Sequence, residues 1–252
     1  MKILALDSSG LVASVAVVEN DNLVAEFTMN YKKTHSQTLL PMLESVSTMI
    51  ELDLNTVDAI AVAAGPGSFT GLRIGSATAK GLGLSLKKPI VAVPTVDALA
   101  YLLYGSDKLI CPIMDARRGQ VYTGIYEYIR CQEMTQQSMR LGRSYSLCAV
   151  RQQYAAAIEE VAYTLNELGR EVVFLGDGVP VFEGKLAELM QIPYSYAPAH
   201  MNRQRAAAVA VLAGIYYEQG RAVSASEHVP DYLRLSQAER ERQEAGCAKS
   251  GA

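Results

Sequence analysis

One order of segments occurs twice in this sequence, and that repetition is its strongest restriction on fold. Near the N-terminus an apolar strand runs into Asp7, a second strand follows, and a later strand runs into a glycine loop at Gly65. The same order recurs from Asp115 and leads, at nearly the same spacing, to a glycine loop at Gly176. Matched units of this kind indicate a duplicated α/β domain.

Hydrophobic periodicity gives the segment boundaries. The first unit is predicted to contain strands Ile3–Leu6, Val12–Val18, Leu23–Met29, Val57–Ala63 and Ile90–Val93, with helices Thr34–Ile50, Thr70–Leu86 and Val96–Leu103. The second is predicted to contain strands Leu109–Met114, Gln120–Tyr128 and Glu171–Leu175, with helices Gln152–Leu168 and Arg203–Gln219. The polar stretch Arg130–Leu147 lacks a clear period and receives no assignment.

The turn at residues 104–107 is the natural boundary between the units. We therefore expect an N-terminal domain over residues 1–105 and a C-terminal domain over residues 106–235. Residues 236–252 are mainly charged or small, which favours a disordered tail.

The composition limits the classes of function. With a net charge of −3 across 252 residues, the surface gives no general attraction for nucleic acid. The scattered cysteines contain no C-x-x-C pair, so free thiols are expected rather than a disulfide framework or a zinc site. Neither a secretion signal nor an apolar run long enough to span a bilayer is apparent, and we expect a soluble, cytoplasmic protein.

The turn after the first strand is a candidate phosphate site. Asp7, Ser8 and Ser9 precede a glycine, an order that suits a turn whose amides face an anion. The same residue types also favour an ordinary hairpin turn. Asp115, Gly176 and Gly178 are the corresponding residues of the second unit, so a nucleotide bound between the domains would contact both sets.

The segment from Gly65 to Arg73 is more specific. Its glycines permit unusual backbone angles, and Ser68 or Thr70 can cap the helix that follows. An anion at that helix N-terminus and a tight strand-to-helix turn are both physically reasonable. It is not a Walker A loop, because Leu72 and Arg73 stand where glycine and lysine would be required.

The helix after this loop is rich in small residues. Each interior glycine costs about 1 kcal/mol relative to alanine, so close packing against another helix should offset the cost. That helix could be the chain's own Thr34–Ile50 or one from another subunit, and the residues alone leave both open.

His35 is the only histidine of the first unit, and Leu39 follows it four residues later. A helical metal site needs a second ligand at that spacing, which favours a capping or surface role for His35. No G-x-S-x-G elbow or Cys–His pattern supports a hydrolase.

Five segments carry a family resemblance: ILALDSSG, THSQTLLPML, GPGSFTGLRIGSATAKGL, DARRGQVY and DYLR. They occur in order over most of the chain, which resembles the TsaB (YeaZ) family. The resemblance implies the actin/Hsp70/sugar-kinase-like fold. It also implies a role in adding a threonylcarbamoyl group to the adenosine beside the anticodon of tRNA.

The resemblance implies specific partners. TsaB-like proteins pair with the catalytic paralogue TsaD, the ATPase TsaE joins them, and tRNA is reached through the complex. TsaD-like proteins bind a metal through H-x-x-x-H, which is degenerate here, so this chain is expected to be non-catalytic. No cofactor is expected beyond weak or vestigial ATP or ADP binding.

The family's pairing surface matches the helices Thr34–Ile50 and Thr70–Leu86, and a homodimer of the isolated chain is compatible with it. The residues predicted to lie in the interface are His35, Leu39, Leu43, Leu72, Gly75, Ala79 and Gly81. The alternatives are an ATP-dependent small-molecule kinase or ATPase of the same fold and, less favoured, a metallopeptidase.

Overall fold

The computed structural model of the chain describes residues 1–31, 33–132 and 143–234. Its first sheet contains β1 (Lys2–Asp7), β2 (Ala13–Glu19), β3 (Asn22–Met29), β4 (Ala59–Gly65) and β5 (Ile90–Pro94). Its second contains β6 (Leu109–Asp115), β7 (Gln120–Arg130), β8 (Tyr145–Ala157), β9 (Val172–Leu175) and β10 (Tyr194–Tyr196). The described helices are α1 (His35–Met49), α2 (Phe69–Leu86), α3 (Thr95–Tyr101), α4 (Ile158–Leu168), α5 (Val179–Leu189) and α6 (Ala206–Glu218).

The two sheets have the same strand order. The first is β3-β2-β1-β4-β5, and the second, read in the same direction, is β8-β7-β6-β9-β10. β1 pairs antiparallel with β2 and parallel with β4. In the second sheet, β6 pairs in the same way, antiparallel with β7 and parallel with β9. The prediction of two related α/β domains built from a duplicated unit is confirmed.

Helices cover the first sheet on both faces. Successive side chains of a strand point to opposite faces, so Leu4 and Leu6 pack in the layer of α1 and α2. Ile3 and Ala5 pack in the opposite layer, against α6. Both layers are buried, which explains why β1 reads as a continuous apolar run rather than an alternating one.

Helix α6 packs on the first sheet, although the sequence placed this segment in the second domain. Its small buried residues, including Ala206 and Ala213, share a core with Ala5 and Ala16. Small side chains on both surfaces allow this close contact, which sequence order alone does not reveal. The numerical limits of the two domains stay a prediction, and the tail over residues 236–252 lies outside the described residues.

The predicted helix Gln152–Leu168 is wrong in its first part. Residues 152–157 complete β8, where Ala157 pairs with Gln120 of β7. The helix begins at Ile158, from which the buried side chains follow helical spacing. The alanines at residues 155–157 favour a helix by propensity, so the sequence-based prediction began the helix too early.

Two polar clusters fix the domains relative to each other. The Asp97 carboxylate accepts hydrogen bonds from the Tyr126 hydroxyl at 2.7 Å and the Tyr216 hydroxyl at 3.0 Å. These tyrosines belong to β7 and α6, so Asp97 joins the second sheet to the helix that covers the first. Arg143 likewise pairs with Asp21 at 3.1 Å and Glu218 at 2.7 Å.

Within the described residues, no helix is long and apolar enough to cross a membrane.

Candidate functional site

A cleft of about 1180 Å³ lies between the two domains. Its first wall contains residues 9–11 of the β1–β2 turn and residues 66–72 of the loop and helix after β4. The first wall also includes residues 33–36 at the start of α1. The second wall contains residues 114–117 with Tyr122, Asp177 and Val181, and residues 231–234 also line the cleft. The cleft thus combines the turns that the sequence marked as candidate sites in both units.

Asp7 lies fully buried beneath the first wall. Its Oδ1 accepts hydrogen bonds from the Ser9 amide at 2.9 Å and the Ser9 hydroxyl at 2.6 Å. Its Oδ2 has no hydrogen-bond partner among the residues that the structure describes. Burial raises the pKa of the Asp7 carboxyl to about 6, against the opposing effect of the Ser9 hydrogen bonds. Asp7 holds the turn in place, but its charge is poorly compensated.

Ser8 and Ser9 bind the start of α2 to the β1–β2 turn. The Ser8 hydroxyl donates to the Gly71 carbonyl at 2.9 Å, and the Ser68 amide donates to the Ser9 carbonyl at 2.7 Å. A Cβ atom on Gly67 or Gly71 would collide with the carbonyl oxygens of Ser9 and Ser8, respectively. These glycines therefore permit close packing within the chain, independently of any ligand.

Ser68 is the N-cap of α2, as the sequence indicated. Its hydroxyl accepts a hydrogen bond from the Gly71 amide at 3.3 Å. One of the free amides at this helix end is thereby satisfied by the chain itself.

The second wall repeats this arrangement. Asp115 accepts a hydrogen bond from the Arg117 amide at 2.8 Å and pairs with the Arg117 guanidinium at 3.1 Å. A Cβ atom on Gly176 or Gly178 would press on the Ile113 carbonyl, which accepts the Gly178 amide at 2.9 Å. Both glycines are explained by packing of the β9–α5 loop on β6.

The structure brings Ser9 and Asp115 to opposite walls of the cleft. Asp7 and Ser8 lie beneath the first wall, while Gly176 and Gly178 pack on β6. Nucleotide binding by these six residues stays a prediction.

His35 has a structural contact. Its Nε2 donates to the Gly10 carbonyl at 2.8 Å, which ties the first turn of α1 to the β1–β2 turn. Leu39, four residues later, is only 1% exposed and packs in the core between α1 and the sheet. A buried apolar side chain therefore stands where a second metal ligand would be needed. The pair His35 and Leu39 does not fit a helical metal site.

Of the seven predicted interface residues, His35 is partly exposed, and the other six divide into two groups. Leu39, Leu43, Leu72 and Ala79 are buried within this chain, and a Cβ atom on Gly75 would lie 2.6 Å from the Ser8 hydroxyl. In the described chain these five residues form the inner faces of α1 and α2, and their part in an intermolecular interface stays a prediction. Gly81 is exposed, and a Cβ there would meet no described atom within 4 Å.

The predicted site residues did not include three exposed apolar residues of these helices, of which Met49 is the last residue of α1. Leu40 is 56% exposed, Leu84 is 62% exposed and Met49 is 84% exposed. The signal was present for Leu40, since it lies one position outside the buried period of Leu39, Leu43 and Val46. Apolar residues that break the core period in this way indicate an outer contact surface.

Comparisons with known proteins agree with this architecture. The family model described as "TsaD: tRNA N6-adenosine threonylcarbamoyltransferase" matches residues 22–242. The tRNA threonylcarbamoyladenosine biosynthesis protein TsaB of Bacillus subtilis (strain 168) is 33% identical over 239 residues, which cover 95% of this chain and 96% of that protein. TsaB of Escherichia coli (strain K12) is 35% identical over 130 residues, covering 50% of this chain and 55% of that protein.

A solved structure supports the fold over nearly the whole chain. YeaZ from Pseudomonas aeruginosa superposes with a TM-score of 0.73 at 27% identity, covering 92% of this chain and 99% of that one.

Proposed function

This chain belongs to the TsaB (YeaZ) family of tRNA threonylcarbamoyladenosine biosynthesis proteins, and we propose that it serves there as a non-catalytic subunit. In this proposal a TsaD-like transferase is its direct partner, and a TsaE-like ATPase joins the pair. We place the complex in the cytoplasm. The assembled complex, rather than this chain alone, binds most of the tRNA, because this chain carries a net charge of −3.

The contacts of α1 carry the non-catalytic assignment. His35 Nε2 is engaged by the Gly10 carbonyl, and the position where a second imidazole would be needed holds the buried Leu39. A metal ion held by only one ring nitrogen of this helix would lack the ligand set that polarises a carbonyl group. The metallopeptidase alternative loses support for the same reason.

The outer faces of α1 and α2 support the partner assignment. Leu40 and Leu84 place exposed apolar surface on these helices, and Gly81 leaves room for a close approach. A helix pair that presents apolar and small residues outward can pack with two helices of another protein as a bundle. We propose this surface for the TsaD-like subunit and for self-association when that subunit is absent.

Reconstitution of the modification reaction tests the proposal. Transfer to tRNA by purified TsaD-like and TsaE-like subunits should fall at least about tenfold when this chain is omitted. His35→Gln should restore transfer as well as the unchanged chain does, because the glutamine amide can still donate to the Gly10 carbonyl. Incorporation of labelled threonine into tRNA measures both. Loss of transfer with His35→Gln in an intact complex would assign chemistry to His35 and contradict the non-catalytic role.

A nucleotide-binding role is the second candidate, because the cleft has Ser9 and Asp115 on opposite walls. The Ser9 amide already donates to Asp7 and the Arg117 amide to Asp115, so both turns offer fewer free donors to a phosphate. We therefore expect weak binding of magnesium ATP or ADP, with a dissociation constant on the order of 0.1 mM or weaker. Calorimetric titration of the isolated chain measures it. Micromolar binding with turnover would favour the kinase or ATPase alternative.

A further inference from the structure

Residues 219–234, which we call the strap, connect α6 to the cleft along the flank of α2 that carries Phe69, Arg73 and Lys80. The strap first joins the edge of the first sheet, where Val223 and Ile90 exchange backbone hydrogen bonds at 2.8 and 2.9 Å. Lys80 of α2 then donates to the Ser226 carbonyl at 3.4 Å and to the His228 carbonyl at 2.9 Å. The strap is thus fixed on the first domain before it reaches the cleft.

The end of β4 contains a space that the strap fills. The Asp231 amide donates to the Ala64 carbonyl at 2.7 Å. A Cβ atom on the neighbouring Gly65 would collide with the Asp231 carbonyl oxygen. Gly65, which opens the loop between β4 and α2, is therefore required at this point by the strap.

The last four described residues of the strap reach across the mouth of the cleft. The Tyr232 ring packs on Phe69 with a centroid separation of 4.9 Å, and its hydroxyl accepts a hydrogen bond from Arg73 Nε at 3.4 Å. Arg234 Nη1 donates to the Ala116 carbonyl on the opposite wall at 2.8 Å.

A second connection to the other domain comes from β8. Gln153 Nε2 donates to Asp231 Oδ2 at 2.8 Å. One short segment therefore contacts both walls of the cleft, with aromatic packing on the first domain and polar bonds on the second. Because residues 231–234 also line the cleft, they occupy space that a ligand would otherwise use.

We propose that the strap closes the cleft and holds the two domains at one angle, and that it must leave Phe69 and Ala116 before a ligand enters. The strap is a covalent continuation of α6, and its contacts with both walls stand in the way of a ligand. The proposal rests on contacts within the isolated chain and does not depend on the proposed partner.

Hydrogen exchange of the whole chain, read by mass spectrometry, tests the strap. The double variant Tyr232→Ala/Arg234→Ala removes its main contacts with each wall. Amides of residues 229–234 and of residues 115–118 on the second wall should exchange about tenfold faster, since their opening no longer requires release of the strap. The dye 8-anilinonaphthalene-1-sulfonate should also bind with increased fluorescence as the apolar lining becomes accessible.

Tyr163→Ala/Arg170→Ala is the matched control, because it removes an exposed tyrosine and an arginine paired with Glu127, both away from the cleft. This control should leave both readouts unchanged. Gln153→Leu cuts the connection from the second domain alone and should accelerate the same amides, so the test survives if the double variant folds poorly. Unchanged exchange at residues 115–118 in either variant would overturn the proposal, because the strap would then be a surface segment without influence on the second wall.

Discussion

Gly81→Leu should abolish capture of the TsaD-like partner while the isolated chain keeps or slightly raises its melting temperature. A Cβ at this position meets no described atom within 4 Å, so the added side chain points into open space on the outer face of α2. Replacing a helical glycine improves helix propensity by about 1 kcal/mol. Against a partner helix, whose axis must approach to roughly 8–10 Å, the same leucine would hold the backbones apart. Thermal melts and pull-downs on one preparation measure both effects.

Gly75→Leu is the matched comparison on the same helix. Its Cβ would lie 2.6 Å from the Ser8 hydroxyl and 3.5 Å from Val62, so the leucine must force α2 away from β1. Overpacking of this kind typically costs about 1–3 kcal/mol, and here it also strains the hydrogen bond from Ser8 to Gly71. We expect Gly75→Leu to melt early, and whatever remains folded to bind the partner. If Gly81→Leu instead bound normally, the pairing surface would have to lie outside α2.

Gly75 and Gly81 show how much of the packing of α2 could be predicted from composition. The abundance of small residues correctly indicated that α2 approaches another backbone closely. Sequence analysis offered α1 or another subunit as the neighbour, whereas the closest contacts of Gly71 and Gly75 are with Ser8 in the β1–β2 turn. Spacing along one helix identifies a stripe of small residues, but the element packed against that stripe depends on tertiary contacts.

The dependence on tertiary contacts also explains which other predictions of the fold succeeded and which were wrong. The duplicated α/β unit was predictable because the order of segments beginning at Asp7 recurs from Asp115. The position of α6 was not, because a helix of alanine and valine fits either domain until the opposing surface, here Ala5 and Ala16, is known. The strap depends on single contacts far apart in sequence, such as Arg234 with Ala116, and no local pattern encodes them.

At the candidate site, the sequence identified the turns but not what their residues contact. Asp7, Ser9 and Asp115 were recognised as a repeated turn, and the structure places Ser9 and Asp115 on facing walls. The glycines were interpreted as ligand-facing, yet Gly176 is required by the Ile113 carbonyl of its own domain. Glycine permits close approach of any atom, so its presence does not distinguish a ligand from a neighbouring strand.

Asp7→Asn should stabilise the folded chain by about 1–3 kcal/mol at pH 8. Burial raises the pKa of Asp7 from 3.8 to about 6, so the folded state holds this proton more tightly than the unfolded state does. The stability gained from protonation is fully present below pH 3.8 and is lost as the pH rises through about 6. At pH 8 the buried carboxylate therefore opposes folding. Asparagine keeps an oxygen to accept from Ser9 and carries no charge.

Urea unfolding of the variant and the unchanged chain at pH 8, 6 and 4.5 measures the difference in free energy of unfolding. The difference should be largest at pH 8 and should shrink towards pH 4.5, where Asp7 is mostly protonated in the folded chain. Asp53→Asn is the control, because Asp53 is exposed and the hydrogen bonds from Asn55 lower the pKa of its carboxyl, so this variant should not be stabilised. A variant of Asp7 less stable at pH 8, or a difference independent of pH, would mean that the folded chain favours the ionised carboxylate.

The reconstituted reaction then separates two roles for the same carboxylate. If Asp7 only holds the β1–β2 turn through Ser9, the asparagine variant should be more stable and should still support transfer to tRNA. Asp7 Oδ2 has no partner among the residues that the structure describes. If this oxygen is used within the complex, for instance towards a bound cation, the same variant should gain stability and lose transfer. Gain of stability with loss of activity is the pattern expected where an uncompensated charge is kept for function, and it would place Asp7 in the working site rather than in its support.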